Sequence, residues 1–398
     1  MAGALDGVKI LGFTHFAQGP FALQLLGDMG ADVINIERPG KGDFNRVFNS
    51  CEALGGESPF FLAMNRNKRS VSLNTKAPEA KEIVTRLIRW ADVVVTNFRA
   101  GALDKLGFGY EEAKKIKESI VYCEALGYGS SGPYSHLAGQ DLLAQSLTGY
   151  ATVVGPDQDD RPVAGGIYVV DMYSSMMLTV GLLAALYHAK QTGEGQKVEI
   201  NLLDSGIHMQ SQELAYFLNT GNKVERPKTY SGHPLQEAPY GIYQTRNGWM
   251  CLATNASDHV EDFARLIEVP DLPSLMPDKK TMMRDRDKIH TVIEEALKKR
   301  DTEYWISEIQ ALDIWCAKVN RYEEIENDPQ VKHNKIIQTI EHPVAGSFKA
   351  IGAPIHFSKT PVSVRRTSPA LGEHNLDVLK ELGFDDKEIR SLQDSNIF

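Results

Sequence analysis

Asp171 is the residue whose sequence context points most directly to chemistry, because it heads the longest apolar stretch of the chain. Between Met172 and Ala189 there is no acid, lysine or arginine, and leucines recur at helical spacing until Gly193. The pattern predicts a buried helix of roughly five turns with a glycine cap. An aspartate at a helix start can accept backbone N–H bonds, which favour its ionised form. On this local evidence alone, Asp171 is expected to be a plain helix cap, and a functional role needs support from the rest of the chain.

Basic side chains follow three successive predicted strands. Arg38 comes directly after Asp32–Glu37, and a basic run surrounds the strand Ser70–Asn74. The segment Asn97–Ala102, which carries Arg99, follows Asp92–Val95 and opens a helix. Parallel strands bind ligands at their carboxyl ends, and helix N-termini accept anions. The three loops together indicate one ligand with several phosphates.

Several familiar motifs are absent or misplaced. Gly127–Gly132 matches the dinucleotide fingerprint, but it follows the fifth strand, and Pro133 leaves no helix to receive a pyrophosphate. What remains is a glycine-rich loop whose backbone can approach a ligand closely. There is no P-loop, HExxH motif or GxSxG elbow, and no metal site is expected. His15, which follows the first strand, is on local evidence more typical of a structural histidine.

Composition excludes some classes of function. The 398 residues are 42% hydrophobic and 24% charged, which indicates a globular protein with a substantial core. A net charge of -9 argues against a nucleic-acid partner. Four scattered cysteines and an amino terminus without signal-peptide features predict a reducing, cytoplasmic location. The long apolar stretch contains serines and a threonine, so we expect a core helix rather than a membrane span.

Strands and helices alternate through the first half of the chain, which predicts an open, doubly wound α/β domain. The predicted elements are strands Val8–Phe13, Asp32–Glu37, Ser70–Asn74, Asp92–Thr96, Ser119–Cys123 and Lys197–Asn201, with helices Phe21–Met29, Pro78–Trp90, Tyr110–Lys117 and Leu202–Leu218.

Beyond residue 218 the composition changes. We predict a large Rossmann-like domain over residues 1–218, a linker over 219–239 and a small α+β domain over 240–319. A second linker over 320–347 precedes a carboxy-terminal segment over 348–398. The small domain begins with a predicted hairpin around Arg246-Asn247-Gly248.

Seven blocks of sequence resemble the family III CoA-transferases, the group of formyl-CoA, carnitine and bile-acid CoA-transferases. The resemblance runs nearly from end to end. The blocks are GDMGADVINIERPGKGD (Gly27–Asp43), NRNKRSVSLN (Asn65–Asn74), NFRAGALDKLGFGYE (Asn97–Glu111), GYGSSGPY (Gly127–Tyr134), TGEGQKVEINLLDS (Thr192–Ser205), NDPQV (Asn327–Val331) and LGEH (Leu371–His374).

The resemblance implies an interlocked-ring homodimer in which linkers thread through the partner and the carboxy-terminal segment returns to the large domain. It implies that Asp171 attacks an acyl-CoA thioester and that an acceptor acid collects the CoA from aspartyl intermediates. An aspartate of pKa about 3.9 would need no tuning to be ionised. No tightly bound cofactor is implied, because CoA is a substrate. The implied CoA-binding residues are Arg38, Leu73, Lys76, Asn97, Phe98, Gly101, Ala102 and Lys105; the last stands where some members carry arginine.

Other activities of the same fold stay open. An α-methylacyl-CoA racemase has a histidine where this chain has Gln140, which cannot shuttle a proton. Formyl-CoA:oxalate transferases differ near Gln140 and in the order Ala17-Gln18, so oxalate is not the expected acceptor. We place His15, Ala17, Gln18 and Gln140 in the substrate pocket. A thioesterase that admits water, or a non-catalytic CoA-binding protein, completes the alternatives.

Overall fold

The computed structural model describes residues 2–395 and 397–398. The described chain divides into two compact units. The first comprises the chain up to Ala144, Ile167–Met209 and the chain from Pro329 onward, and the second comprises 145–166 and 210–328. The predicted domain limits at residues 218, 239, 319 and 347 stay predictions.

A six-stranded parallel sheet forms the centre of the first unit, with strand order β3-β2-β1-β4-β5-β6. The predicted α/β fold is therefore confirmed. The strands are β1 (Lys9–Phe13), β2 (Asp32–Glu37), β3 (Lys68–Ser72), β4 (Val93–Thr96), β5 (Val121–Leu126) and β6 (Lys197–Asn201).

Helices cover both faces of this sheet. The first part of the chain supplies α1 (Gln18–Asp28), α2 (Pro59–Asn65), α3 (Ala80–Trp90), α4 (Tyr110–Ile116), α5 (Asp141–Leu147), α6 (Val169–Thr192) and α7 (Leu202–Met209). After the second unit, the chain adds α15 (Pro329–Asn334), the antiparallel pair β10 (Ile337–His342) and β11 (Gly346–Ile351), α16 (Asn375–Glu381) and α17 (Asp386–Asp394).

Side chains alternate across the central strands, which explains the two apolar layers. Ile10 and Val33 pack with α1 and α6 on one face. Leu11 and Ile34 pack with α3 on the other face, where the carboxy-terminal helices α16 and α17 complete the layer. The carboxy-terminal helices α16 and α17 are therefore part of the core of the first unit.

The long helix differs from its prediction. α6 has 24 residues and ends at Gly193, whose φ of 80° is the left-handed conformation expected of a glycine cap. It is not buried all round, because Val180 is 59% and Tyr187 is 69% exposed. By length and composition alone it could span a membrane. In this fold, Gly181 lets it approach β6, and its leucines join the core beside α1.

Two element boundaries also differ from expectation. α1 begins at Gln18 rather than after Pro20, because proline is compatible with the first turn of a helix. The predicted helix Leu202–Leu218 is wrong as a single element: α7 ends at Met209, and Gln210 leaves helical geometry with φ -99° and ψ 30°.

The second unit combines helices with a three-stranded antiparallel sheet. Its strands are β7 (Gly241–Gln244), β8 (Trp249–Leu252) and β9 (Cys316–Lys318), and the predicted hairpin joins the first two. Its helices are α8 (Ser211–Thr220), α9 (Val260–Leu266), α10 (Leu272–Leu275), α11 (Lys279–Arg284), α12 (Arg286–Leu297), α13 (Thr302–Ala311) and α14 (Tyr322–Ile325). Tyr243, Phe263 and Trp305 lie in its own apolar core.

Candidate active site

The sheet reverses its order between β1 and β4, and ligands of open α/β folds bind at such a switch point. The loops that follow these two strands are tied together there. The Asn97 side chain accepts a hydrogen bond from the His15 backbone N–H at 3.0 Å and donates one to the His15 carbonyl at 2.7 Å. Asn97 therefore positions the loop after β1 with both ends of its amide.

A cavity of about 530 Å³ opens at this edge of the sheet, within the first unit. It brings together the predicted substrate residues, two of the predicted CoA-binding residues and the predicted nucleophile. Those lining residues are His15, Ala17, Gln18, Asn97, Phe98, Gln140 and Asp171. Segments separated by more than a hundred residues thus meet at one cavity.

Asp171 lies in the first turn of α6 and is one of the residues that line the cavity. Among the described residues, no group donates a hydrogen bond to that carboxylate. Burial, and secondarily the negative charge of Asp141, raise the pKa of Asp171 to about 7. The expectation of an untuned, fully ionised aspartate was wrong, because desolvation disfavours the charged form.

Asp141, rather than Asp171, caps this helix. Its Oδ1 accepts hydrogen bonds from the backbone N–H groups of Val170 at 2.8 Å and Asp171 at 3.0 Å. The cap interpretation of Asp171 is therefore wrong, and its own oxygens are left for the cavity. Nothing local in the sequence links residues 141 and 171; the only signal was an acid directly after Gln140.

The first turn of α1 is bound to the same part of α6. Gln18 Nε2 donates to Ser174 Oγ at 2.7 Å, and Ser175 Oγ donates to the Gln18 carbonyl at 2.7 Å. Gln18 is buried, as is its neighbour Ala17. These bonds fix the start of α1 against the turn of α6 that follows Asp171.

Two polar residues missed by sequence reasoning support the loop after β1. Phe16 has a φ of 62°, unusual for a residue with a bulky side chain. Its N–H donates to Asp43 Oδ1 at 3.2 Å, and its carbonyl accepts from Asn45 Nδ2 at 2.6 Å. Burial raises the pKa of Asp43 to about 6. The available signal was the Gly42-Asp43 pair at the end of the first family block.

The glycine-rich loop after β5 reaches the cavity with bare backbone. A side chain at Gly127 would lie 2.5 Å from the Gly139 Cα atom, so the two backbones can approach only as glycines. Gly129, with φ at 97°, also lines the cavity. No helix follows this loop before α5, which agrees with rejecting a dinucleotide site.

The remaining predicted CoA-binding residues lie outside the cavity, after β2, β3 and β4. Arg38, Lys76 and Lys105 are exposed. Burial and the nearby positive charge of Arg38 lower the pKa of His15. Gly101 has a φ of 71°, and Ala102 follows it in the turn after β4.

Leu73 is 1% exposed, and its side chain packs in the core. The CoA contact at Leu73 stays a prediction, and only the backbone of this residue could take part in it.

Most of the basic run around β3 serves the fold instead of a ligand. Arg66 forms a buried ion pair with Asp28 at 2.6 Å, and the Lys68 Nζ donates to the Pro20 carbonyl at 2.9 Å. Arg69 pairs with Asp32 at 2.7 Å. These cations already have partners, so Lys76 is the exposed cation of the run. Across residues 2–395 and 397–398, no cluster of three or more histidine, cysteine or acidic side chains could hold a metal.

Comparisons with known proteins find matches that cover nearly the whole chain. Residues 5–375 match the model of "CoA-transferase family III". The human succinyl-CoA:glutarate CoA-transferase is 32% identical over 99% of this chain and 89% of its own length. The formyl-CoA:oxalate CoA-transferase of Streptomyces coelicolor is 32% identical over 100% of this chain and 99% of its own. A crystal structure of a CAIB/BAIF family protein from Brucella suis has a TM-score of 0.84 at 27% identity, covering 96% and 100% of the two chains.

Proposed function

Because the chain belongs to CoA-transferase family III, we propose that it moves CoA between an acyl-CoA and an acceptor carboxylic acid through covalent intermediates on Asp171. Family membership makes the protein a CoA-transferase with CoA thioesters as substrates. One observation carries the proposal: the carboxylate of Asp171 lies on the cavity wall without a donor from the described residues. A nucleophile needs free oxygens, and a cap residue would not have them.

The reaction proceeds by four substitutions at carbonyl carbon. An Asp171 oxygen attacks the thioester carbonyl, and CoA thiolate leaves to give a mixed anhydride. The thiolate then attacks the aspartyl carbonyl, which releases the donor acid and leaves an aspartyl-CoA thioester. The acceptor carboxylate attacks that thioester and expels the thiolate again. Thiolate attack on the acceptor's acyl carbonyl gives the new acyl-CoA and regenerates Asp171.

The glycine-rich loop is assigned to the developing negative charge. Each attack produces an oxyanion, and backbone N–H groups stabilise such charge best in a site sheltered from water. Gly127 and Gly129 line the same cavity as Asp171, and neither carries a side chain that would block an approaching carbonyl. Partial enclosure also protects the anhydride from hydrolysis.

CoA lies, in this proposal, along the carboxyl ends of β2, β3 and β4, with its phosphates near Arg38, Lys76 and Lys105. These side chains are exposed and follow three strands of the same parallel sheet, which supports one extended ligand along that edge. Phe98 and the turn at Gly101-Ala102 complete that surface. Lysine at position 105 supplies charge without the paired donors of an arginine.

We further propose that the protein is an interlocked homodimer in the cytoplasm. In this proposal it has no resident cofactor and binds neither nucleic acid nor a membrane. Exposed apolar side chains on α6, among them Val180 and Tyr187, support a second chain as their cover. Analytical ultracentrifugation tests the proposed homodimer directly, since a monomer at micromolar concentration would contradict it.

The decisive experiment compares Asp171→Ala with wild type. Purified protein is incubated with acyl-CoA donors and carboxylic acids, and products are read by mass spectrometry. We expect transfer to fall by on the order of 10⁴-fold or more, since the covalent route is lost. Asp377→Ala, an exposed acid in the first turn of α16, is the matched control and keeps full activity.

The same samples separate the alternatives. A CoA adduct on the peptide containing Asp171, found in wild type only, supports the covalent route. Unimpaired transfer by Asp171→Ala contradicts the proposal. Release of CoA without an acceptor acid identifies a thioesterase, and deuterium incorporation at Cα identifies a racemase.

A further inference from the structure

Five aromatic rings form a continuous surface along the cavity, which we call the aromatic wall: Phe16, Phe44, Phe48, Phe60 and Tyr168. All five line the cavity. Successive ring centroids are 4.9, 5.8, 6.2 and 6.0 Å apart, so each ring contacts the next. Such spacing is typical of interacting aromatic pairs.

The wall connects the switch point with the reacting carboxylate. At one end, Phe16 packs against His15 with ring centroids 5.2 Å apart. At the other end, Tyr168 directly precedes α6 and lies three residues before Asp171. A group bonded to the carbonyl that Asp171 attacks would therefore have the wall beside it.

Charge around the cavity is unsuited to a second carboxylate on the substrate. Among the described lining residues, Arg99 is the one guanidinium, and there is no lysine. Arg99 adjoins Phe98, whose ring packs against His15 at the Phe16 end of the wall. The segments that supply Phe44, Phe48 and Phe60 contribute no lysine or arginine to the cavity lining. Asp141 adds negative charge behind Asp171. His15 is held towards its neutral form by burial and by Arg38.

Resting on the proposed transferase function, we propose that the aromatic wall binds the acyl group and selects monocarboxylic acids with an aryl or bulky alkyl body over short dicarboxylates. Apolar groups gain free energy when they leave water for such a surface. A distal carboxylate placed on Phe44, Phe48 or Phe60 would lose hydration, and the segments that supply these rings offer no lysine or arginine of the cavity lining in exchange.

The test measures kcat/KM for 3-phenylpropionate, isovalerate, propionate, glutarate and oxalate, with acetyl-CoA, succinyl-CoA and 3-phenylpropanoyl-CoA as donors. We expect 3-phenylpropionate to exceed glutarate by at least about tenfold, in line with the selectivity of apolar pockets. Phe44 is 50% exposed, so Phe44→Ala should fold normally. That variant should lower the ratio of 3-phenylpropionate to propionate by about threefold or more.

Two further variants sharpen the result. Phe44→Arg places a cation on the wall and should raise glutarate relative to 3-phenylpropionate, which a merely structural role for Phe44 does not predict. Tyr322→Ala removes a ring that is 84% exposed and distant in sequence from the cavity, and its ratios should match wild type. Because each readout is a ratio within one preparation, partial loss of folded enzyme cancels.

Each outcome decides one claim. Preference for glutarate or oxalate in wild type, or unchanged ratios in both Phe44 variants, overturns the selectivity while leaving the transferase proposal standing. Failure of every donor to transfer CoA to any acid overturns the transferase proposal, and the selectivity falls with it.

Discussion

The acid end of the cavity and the basic loops outside it handle charge in opposite ways. At the acid end, burial and Asp141 raise the pKa of a single carboxylate, and helix α6 fixes its position. In the basic loops, Arg38, Lys76 and Lys105 are exposed side chains on three different loops. One region alters the properties of one group, whereas the other adds weak contributions from several. Substitutions should therefore have large effects in the first region and small ones in the second.

The largest expected effect of this contrast is on the stability of the folded protein. Between pH 3.8 and about 7 the folded protein keeps a proton on Asp171 that the unfolded chain has lost, so the free energy of unfolding falls as pH rises through this window. Asp171→Asn carries no such charge. We expect it to raise the free energy of unfolding by on the order of 2 kcal/mol at pH 8, and by much less at pH 4. Urea unfolding at both pH values measures the difference, and a variant no more stable than wild type at pH 8 would refute this account.

The next effect is on the pH dependence of catalysis. With a pKa of about 7 for Asp171, kcat/KM should rise with pH and be about tenfold below its plateau at pH 6. Asp141→Asn removes a negative charge yet retains an oxygen that can accept from the α6 backbone. The pKa of Asp171 should fall, and the acid limb of the profile should move to lower pH. A limb that stays in place, or moves upward, would show that Asp141 does not influence the nucleophile electrostatically.

The smallest effects belong to the basic loops. Lys76→Ala and Lys105→Ala should each raise KM for acyl-CoA by about two- to fivefold and leave kcat unchanged, since exposed charges contribute little singly. The increase should shrink in high salt, where screening weakens the wild-type contact as well. Lys114→Ala, an exposed lysine on α4, serves as the control. Steady-state kinetics at two ionic strengths measures KM and kcat. A hundredfold loss of kcat/KM from either single change would contradict the expected difference between the two regions.

Sequence reasoning succeeded where the signal was local. The β-branched run Asp92–Thr96 and the alternation of strands with helices predicted the sheet, because burial on both faces imposes a continuous apolar pattern. His15, Asn97 and Asp171 were assigned to the site from the family resemblance, and all three line one cavity in the structure. These features depend on short stretches of chain or on their order.

Sequence reasoning failed where the outcome depends on contacts between residues that are distant in sequence. The charge state of Asp171 is set by burial and by Asp141, and the ion pair of Arg66 is set by Asp28, which lies on α1. A basic run looks the same whether its cations face a ligand or an internal acid. The aromatic wall was invisible for the same reason, since Phe16 and Tyr168 belong to separate parts of the chain.

Because the first unit is discontinuous in sequence, one part of it is synthesised before the second unit and another part after it. Residues 210–328 form almost all of the second unit and leave the ribosome as one stretch. The layer over α3 still lacks α16 and α17 at that time, since their apolar side chains complete it. Synthesis therefore leaves an uncovered apolar face on the nascent first unit until α16 and α17 emerge, the kind of surface that chaperones bind.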